Sequence, residues 1–169
     1  MKPKRTAAEE AAARAARRRA IVMAGVGLVM GLVMLALSAD FLAMHCVVAA
    51  AVAVSGGIAA ARSAIPHRAD SYGSAGSLGG LYAALGYGLP FMVFNFINWL
   101  NVNEQTAAAR AAQLSPEQIA QLREMNLVVG VDFFRGQDIA YLFGYLLFAL
   151  IFGWLFGRVG GIIALRQVR

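Results

Sequence analysis

AIVMAGVGLVMGLVMLALSA, Ala20 to Ala39, is an unbroken run of apolar residues without a charge. About 20 such residues rise ~30 Å as a helix, which matches the hydrocarbon thickness of a bilayer. In lipid the backbone must satisfy its own hydrogen bonds, so only a helix or a closed barrel crosses. Barrel strands alternate in polarity over about ten residues; this run is continuous, so it reads as a helix. A basic start, an apolar core and Ala36-Leu37-Ser38 also suit a cleaved signal peptide. A signal core is usually about 7–15 residues, shorter than this run, so an uncleaved span is preferred.

Working outward, three more stretches have the same character: Phe41 to Ala61, Leu78 to Leu100 and Ile139 to Gly157. The whole chain of 169 residues is 60% hydrophobic and 14% charged. A soluble domain averages about 45–50% apolar and about 25% charged, so composition and pattern agree. The fold class expected is an all-α integral membrane protein of four transmembrane helices (20–39, 41–61, 78–100 and 139–157) in two hairpins. Residues 1–19 are a basic cytoplasmic helical stalk, 101–137 a non-cytoplasmic connection, and 138–169 the last span with a cytoplasmic end.

Charge sets the orientation. Twelve of the fifteen basic residues fall before span one, between spans two and three, or after span four. The other side holds only Arg110, Arg123 and Arg135. Basic residues are retained on the cytoplasmic side. Both termini are therefore expected in the cytoplasm of a cell with a bacterial-type plasma (inner) membrane. The net charge of +6 is explained by topology, and nucleic acid is not an expected partner.

The tail TAAEEAAARAARRRA opens with a capping box, Thr6 to Glu9, and then propagates through alanine. No breaker stands between Ala7 and Ser38, so one helix is expected to run from the stalk into span one. Arg14, Arg17, Arg18 and Arg19 are read as anchors at anionic headgroups or as a contact for an acidic partner. Spans one and two meet almost without a loop at Ser38-Ala39-Asp40, whereas Ala61 to Ser77 is rich in Gly, Ser and Pro and reads as a loop. In the outer connection, NVNEQTAAARAAQL is read as a helical continuation of span three. Ser115, Pro116 and Gln118 then start an amphipathic helix over about 116–126. LVVGVDFFRG is ambiguous between strand and interfacial loop.

Small residues recur at helix-packing spacing: Gly27 and Gly31, Ala49, Ala53 and Gly57, Gly76 and Gly80, Gly153 and Gly157. They let helix backbones approach where lipid removes the hydrophobic drive between helices. Their number in so small a bundle suggests contacts with other membrane subunits as well as within the chain.

Catalytic signatures are absent: no HExxH, CxxC, Walker loop or GxSxG occurs. No acid or base lies deep in a span, which argues against a proton relay. Cys46 sits in an apolar run and reads as a small hydrophobe. What remains is a polar set within about 4–11 Å of the outer boundary at 1.5 Å per residue: His45, Asn95, Asn98, Tyr141 and Tyr145. It reads as a clasp between helices, as a cavity for a lipid headgroup or quinone, or as a pigment site with His45 on a haem or chlorophyll-type metal. Pro90, beside Gly86 and Gly88, is a candidate hinge. The sequence requires no cofactor. The expected function is that of a non-catalytic membrane subunit stabilising or regulating a larger complex. The alternatives are a small homo-oligomeric channel or transporter component with an Asn-lined face, and a pigment- or haem-binding subunit.

Overall fold

The computed structural model describes residues 6–37 and 42–168. The joint at Ser38-Ala39-Asp40, Phe41, and the basic residues Lys2, Lys4, Arg5 and Arg169 lie outside the described residues. Among the described residues the chain forms only helices: α1 (Ala7–Ala36), α2 (Leu42–Ala64), α3 (Tyr72–Asn101), α4 (Glu104–Ala111), α5 (Pro116–Glu124) and α6 (Val131–Arg166), with a 3-10 turn at Ala69–Ser71. Four of them, α1, α2, α3 and α6, are long and apolar enough to cross a membrane. The chain divides into two compact units, Met1–Pro90 with Leu146–Arg169, and Phe91–Tyr145.

In the first unit α1 begins at the reciprocal cap of Thr6 and Glu9, the Glu9 N–H donating to Thr6 Oγ1 and the Thr6 N–H to Glu9 Oε2. Its early turns pack on other helices of the unit. Ala12 and Ala16 are buried against Ala60 and Ala64 of α2 and Ala75 of α3. Alanines four apart line one helix face, and that face is covered by protein. Arg14, Arg17, Arg18 and Arg19 lie on the exposed part of the helix, and Arg14 pairs with Glu10 at 3.7 Å.

The four long helices meet through glycine. On α1, a Cβ at Gly27 would come within 2.9 Å of the Tyr87 backbone nitrogen of α3, and one at Gly31 within 3.1 Å of the Pro90 ring. On α6, a Cβ at Gly157 would meet Gly76 and Gly80 of α3, and one at Gly57 of α2 would meet the Cα of Gly157. Three helices thus converge on one point with no room for a methyl group. The order of contacts gives the directions. Ala12 lies near Ala75 and Gly31 near Pro90, so α1 and α3 run the same way. Gly161 lies at Tyr72 and Gly153 at Leu81, so α6 runs against α3. Gly153 also approaches Ala84, beside the buried cluster of Ala53, Ala84 and Ala149.

The second unit has its own core of Val102, Ala107 and Phe134, flanked by Leu114, Val129 and Phe133. It is braced by an ion pair from Arg110 of α4 to Asp138 of α6, at 3.0 and 3.2 Å to the two carboxylate oxygens. The Arg110 guanidinium also lies over the Phe134 ring at 5.6 Å. Arg135 donates to the Val102 carbonyl at 3.1 Å.

Three expectations about local structure are corrected. The Gly- and Ser-rich stretch before residue 78 is not all loop: α2 continues to Ala64 and α3 starts at Tyr72. Its poor local propensity is overridden because Gly76 is one of the points where α3 touches α6. Span three does not continue through the alanine-rich connection. It ends at Asn101; Val102 turns into the second core, and Asn103 in extended conformation caps α4 with Thr106. LVVGVDFFRG is neither strand nor loop throughout, since α6 is helical from Val131, where Phe134 faces the core of the second unit.

Candidate functional site

The polar residues of the long apolar helices are placed by different partners. His45, near the start of α2, is half-buried, with its Nδ1 2.8 Å from the hydroxyl of Tyr87 on α3. Tyr87 is almost fully enclosed, at 2% exposure, and its ring stands edge-on to the imidazole. The pair ties α2 to α3 at the level where Gly27 of α1 meets α3. Replacing Tyr87 with phenylalanine removes the hydroxyl and retains the ring. The expected loss is about 1 kcal/mol of stability, measured by thermal unfolding in detergent. The H45L/Y87F double variant should lose less than the sum of the singles; strict additivity would show that the contact contributes nothing.

The asparagines answer to their own helix. Asn95 is buried, and its Nδ2 donates to the Phe91 carbonyl at 2.8 Å; Asn101 does the same to the Ile97 carbonyl at 2.9 Å. Both bonds run back four residues along α3, a local arrangement open to short polar side chains within a helix. Asn98, half-buried on the same helix, has no hydrogen-bond partner among the described residues. Tyr145 stacks on Phe91 with ring centres 4.9 Å apart, and Tyr141, half-exposed, accepts from Gln137 at 3.4 Å. Asn95, Phe91 and Tyr145 belong to the second unit, and His45 and Tyr87 to the first.

Pro90 is the last residue of the first unit's share of α3. It has no N–H to bond the Gly86 carbonyl. Both positions are faced by α1, with Gly86 against Ala24 and the Pro90 ring against Gly31. Gly27, Gly31, Gly57, Gly153 and Gly157 are all occupied by contacts within the chain, and Ala49 and Ala53 are fully buried. These positions are not surplus surfaces for another subunit. The glycines without a neighbour at the Cβ position, Gly136 and Gly144 among them, are others. Cys46 is a free, half-buried thiol.

Sequence reasoning missed the charged clasps. Arg68 bonds Asp70 with two nitrogens, at 2.5 and 2.7 Å, and also reaches Glu9 on α1. Thr6 and Arg68 hold the Glu9 carboxyl below its usual range, and Arg68 does the same to Asp70. Reciprocally, the two acids raise the pKa of Arg68, which stays charged. Glu9 and Arg68 are 59 residues apart, and no spacing rule joins them. The amphipathic helix expected over about 116–126 forms as α5, Pro116–Glu124, and is closed by an asparagine turn outside that expectation. Asn126 takes a positive φ of 57°; its N–H donates to the Arg123 carbonyl and that of Leu127 to the Leu122 carbonyl. This pair of bonds is the Schellman arrangement that closes a helix. The asparagine in MNLV was a legible signal for it.

Among the described residues no group of three His, Cys, Asp or Glu side chains is placed to hold a metal ion. The arrangement offers hydrogen-bonded helix contacts, ion-pair clasps and apolar surface. No family model matches the chain, and no curated protein or solved structure matches it.

Proposed function

We propose that this protein is a non-catalytic integral membrane subunit that stabilises or regulates a larger membrane complex. In this reading its four long helices cross a bacterial-type inner membrane as two hairpins, with both termini cytoplasmic. The carrying observation is α5. Its start is fixed by the Ser115 hydroxyl, which accepts from the Gln118 N–H, and its end by the Asn126 turn. Yet no residue of α5 is buried, and the apolar residues that follow it are open: Met125 is 60% exposed and Val128 86%. A segment held this firmly with its apolar edge uncovered supports a docking role, because uncovered apolar patches on ordered elements mark interaction sites. The occupant proposed is another subunit of the same membrane.

Purification of the intact chain from its own membranes in a mild detergent tests this. The chain should resist alkaline extraction and co-purify with defined, different subunits. M125S/L127S/V128S should still insert but lose most of that partner. A homogeneous assembly of this chain alone, unchanged by the triple variant, would overturn the subunit reading in favour of a homo-oligomeric component.

A further inference from the structure

We propose that the cleft between the start of α3 and the end of α6 is a binding site for one glycerophospholipid, with its phosphate on Arg158. The inference rests on the membrane reading above and concerns the first unit alone. The cleft has a volume of about 640 Å³, and its lining includes Asp70, Tyr72, Ser74, Ser77, Leu78, Leu81, Trp154 and Arg158.

The polarity of the lining is graded, and the two helices agree on its direction. Along α3 the lining passes from Tyr72, Gly73, Ser74 and Ser77, which carry three hydroxyls, to Leu78 and Leu81. Along α6 it passes backwards from Arg158 to Trp154. Because α6 runs against α3, with Gly157 at Gly76 and Gly80 and Gly153 at Leu81, the two polar ends coincide and so do the two apolar ends. Four residues of α6 separate Arg158 from Trp154, about 6 Å along the axis. A headgroup above the first turn of acyl chain needs that step in polarity over that length. The position also fits, since Trp is favoured at the interface and a long basic side chain extends toward the headgroups.

Charge identifies the headgroup chemistry. Asp70 is already engaged by Arg68 through both carboxylate oxygens. Arg158 has no acidic partner among the described residues, and its guanidinium lies over the Trp154 ring at 6.0 Å. A guanidinium resting over an indole keeps N–H groups for an oxyanion. The Ser77 hydroxyl, half-buried in the same cleft and without a hydrogen-bond partner among the described residues, supplies a second donor. Phosphate oxygens accept only, so an arginine and a hydroxyl at the polar end suit a phosphodiester. The leucines and indole below suit its acyl chains. A free phosphate would leave that apolar half of the cleft in water.

The test is native mass spectrometry of the full chain in detergent, with dioleoyl phosphatidylglycerol, dioleoylglycerol or inorganic phosphate added. The expected result is one phosphatidylglycerol retained per chain, with neither the diacylglycerol nor inorganic phosphate replacing it. R158Q should lower retention about fivefold, whereas R166Q, at the end of the same helix, should retain lipid like the wild type. W154L should lower it through the acyl end while leaving helix content unchanged by circular dichroism. Equal retention in R158Q and R166Q overturns the site, and binding of inorganic phosphate alone overturns the lipid. A chain that stays soluble without detergent would instead overturn the membrane reading, which the extraction experiment detects separately.

Discussion

Gly157→Ala should destabilise the first unit by about 3 kcal/mol, whereas Gly144→Ala on the same helix should be neutral or stabilising. At Gly157 a methyl group would lie 2.5 Å from the Gly76 carbonyl oxygen and 2.8 Å from the Gly80 Cα. All of these are backbone atoms of α3, so no side chain can rotate away. The helices would have to part, at a point where Gly57 of α2 is also packed close to the Gly157 backbone. Overpacking a filled interior usually costs about 1–3 kcal/mol, and a three-helix backbone junction belongs at the upper end. At Gly144 an added Cβ meets nothing within 4 Å. There alanine gains its helix propensity, up to about 1 kcal/mol over glycine. Thermal midpoints in one detergent at one ionic strength measure both. Equal shifts for the two variants would show that the junction is not the constraint.

The junction also bears on what the protein offers to others. Small-residue stripes in a membrane chain suggest partners, yet here α1, α2, α3 and α6 use those stripes on one another. The surface that remains is different in kind. It includes the large apolar side chains along the outer faces of the long helices, such as Val29, Val47, Phe94 and Leu147, as well as the apolar edge after α5, the exposed arginines of α1, and Gly136, Ala140 and Gly144 of α6. The functional reading therefore moves from the helix-packing glycines to the connection between α3 and α6.

Long-period information was legible in the sequence, and three-dimensional pairing was not. The four apolar helices follow from unbroken, nearly uncharged runs of about 20 residues, the length that suits a bilayer-crossing helix. The caps of α1 and α5 follow from three-residue spacings, Thr6 to Glu9 and Ser115 to Gln118. The start of α3 misled because glycine and serine signal a loop unless a neighbouring helix needs the space they leave. The end of α3 misled because alanine carries no stop signal; the stop was Asn103, which reads as one more amide until its cap to Thr106 is seen. In the candidate site, His45, Asn95, Asn98, Tyr141 and Tyr145 were legible as the polar residues of apolar runs. Their partners were not. Asn95 bonds its own backbone, Phe91 stacks on Tyr145, and Tyr87 meets His45, 42 residues away. In the sequence Arg68 and Arg110 count only as orientation signals; their pairing across 59 and 28 residues follows no local spacing.

Removing one partner of the Arg110–Asp138 pair should loosen the second unit more than removing both. The Asp138 side chain is 5% exposed and that of Arg110 28%. R110A leaves a buried carboxylate with no counter-charge, and breaking a buried pair from one side costs about 3–5 kcal/mol. D138A strands an arginine that still touches water and the Phe134 ring, so its cost should be the smaller, about 2–3 kcal/mol. R110L/D138L removes both charges and fills the space with apolar atoms, an exchange that is often close to neutral. The readout is amide hydrogen exchange in detergent. In R110A, protection should fall across α4 and the first turns of α6, where Val102, Ala107 and Phe134 form the core. Protection in α2 and around Gly157 should not change, because those residues belong to the other unit. A double variant that exchanges faster than R110A would overturn the argument, since it would make the attraction between the charges, and not the stranded carboxylate, the larger effect. Should R110A expose α4 while the double variant protects it, the pair acts as a clasp that fixes where α5 is presented. Loss of the co-purifying subunit in R110A, with its return in R110L/D138L, would then tie that clasp to docking.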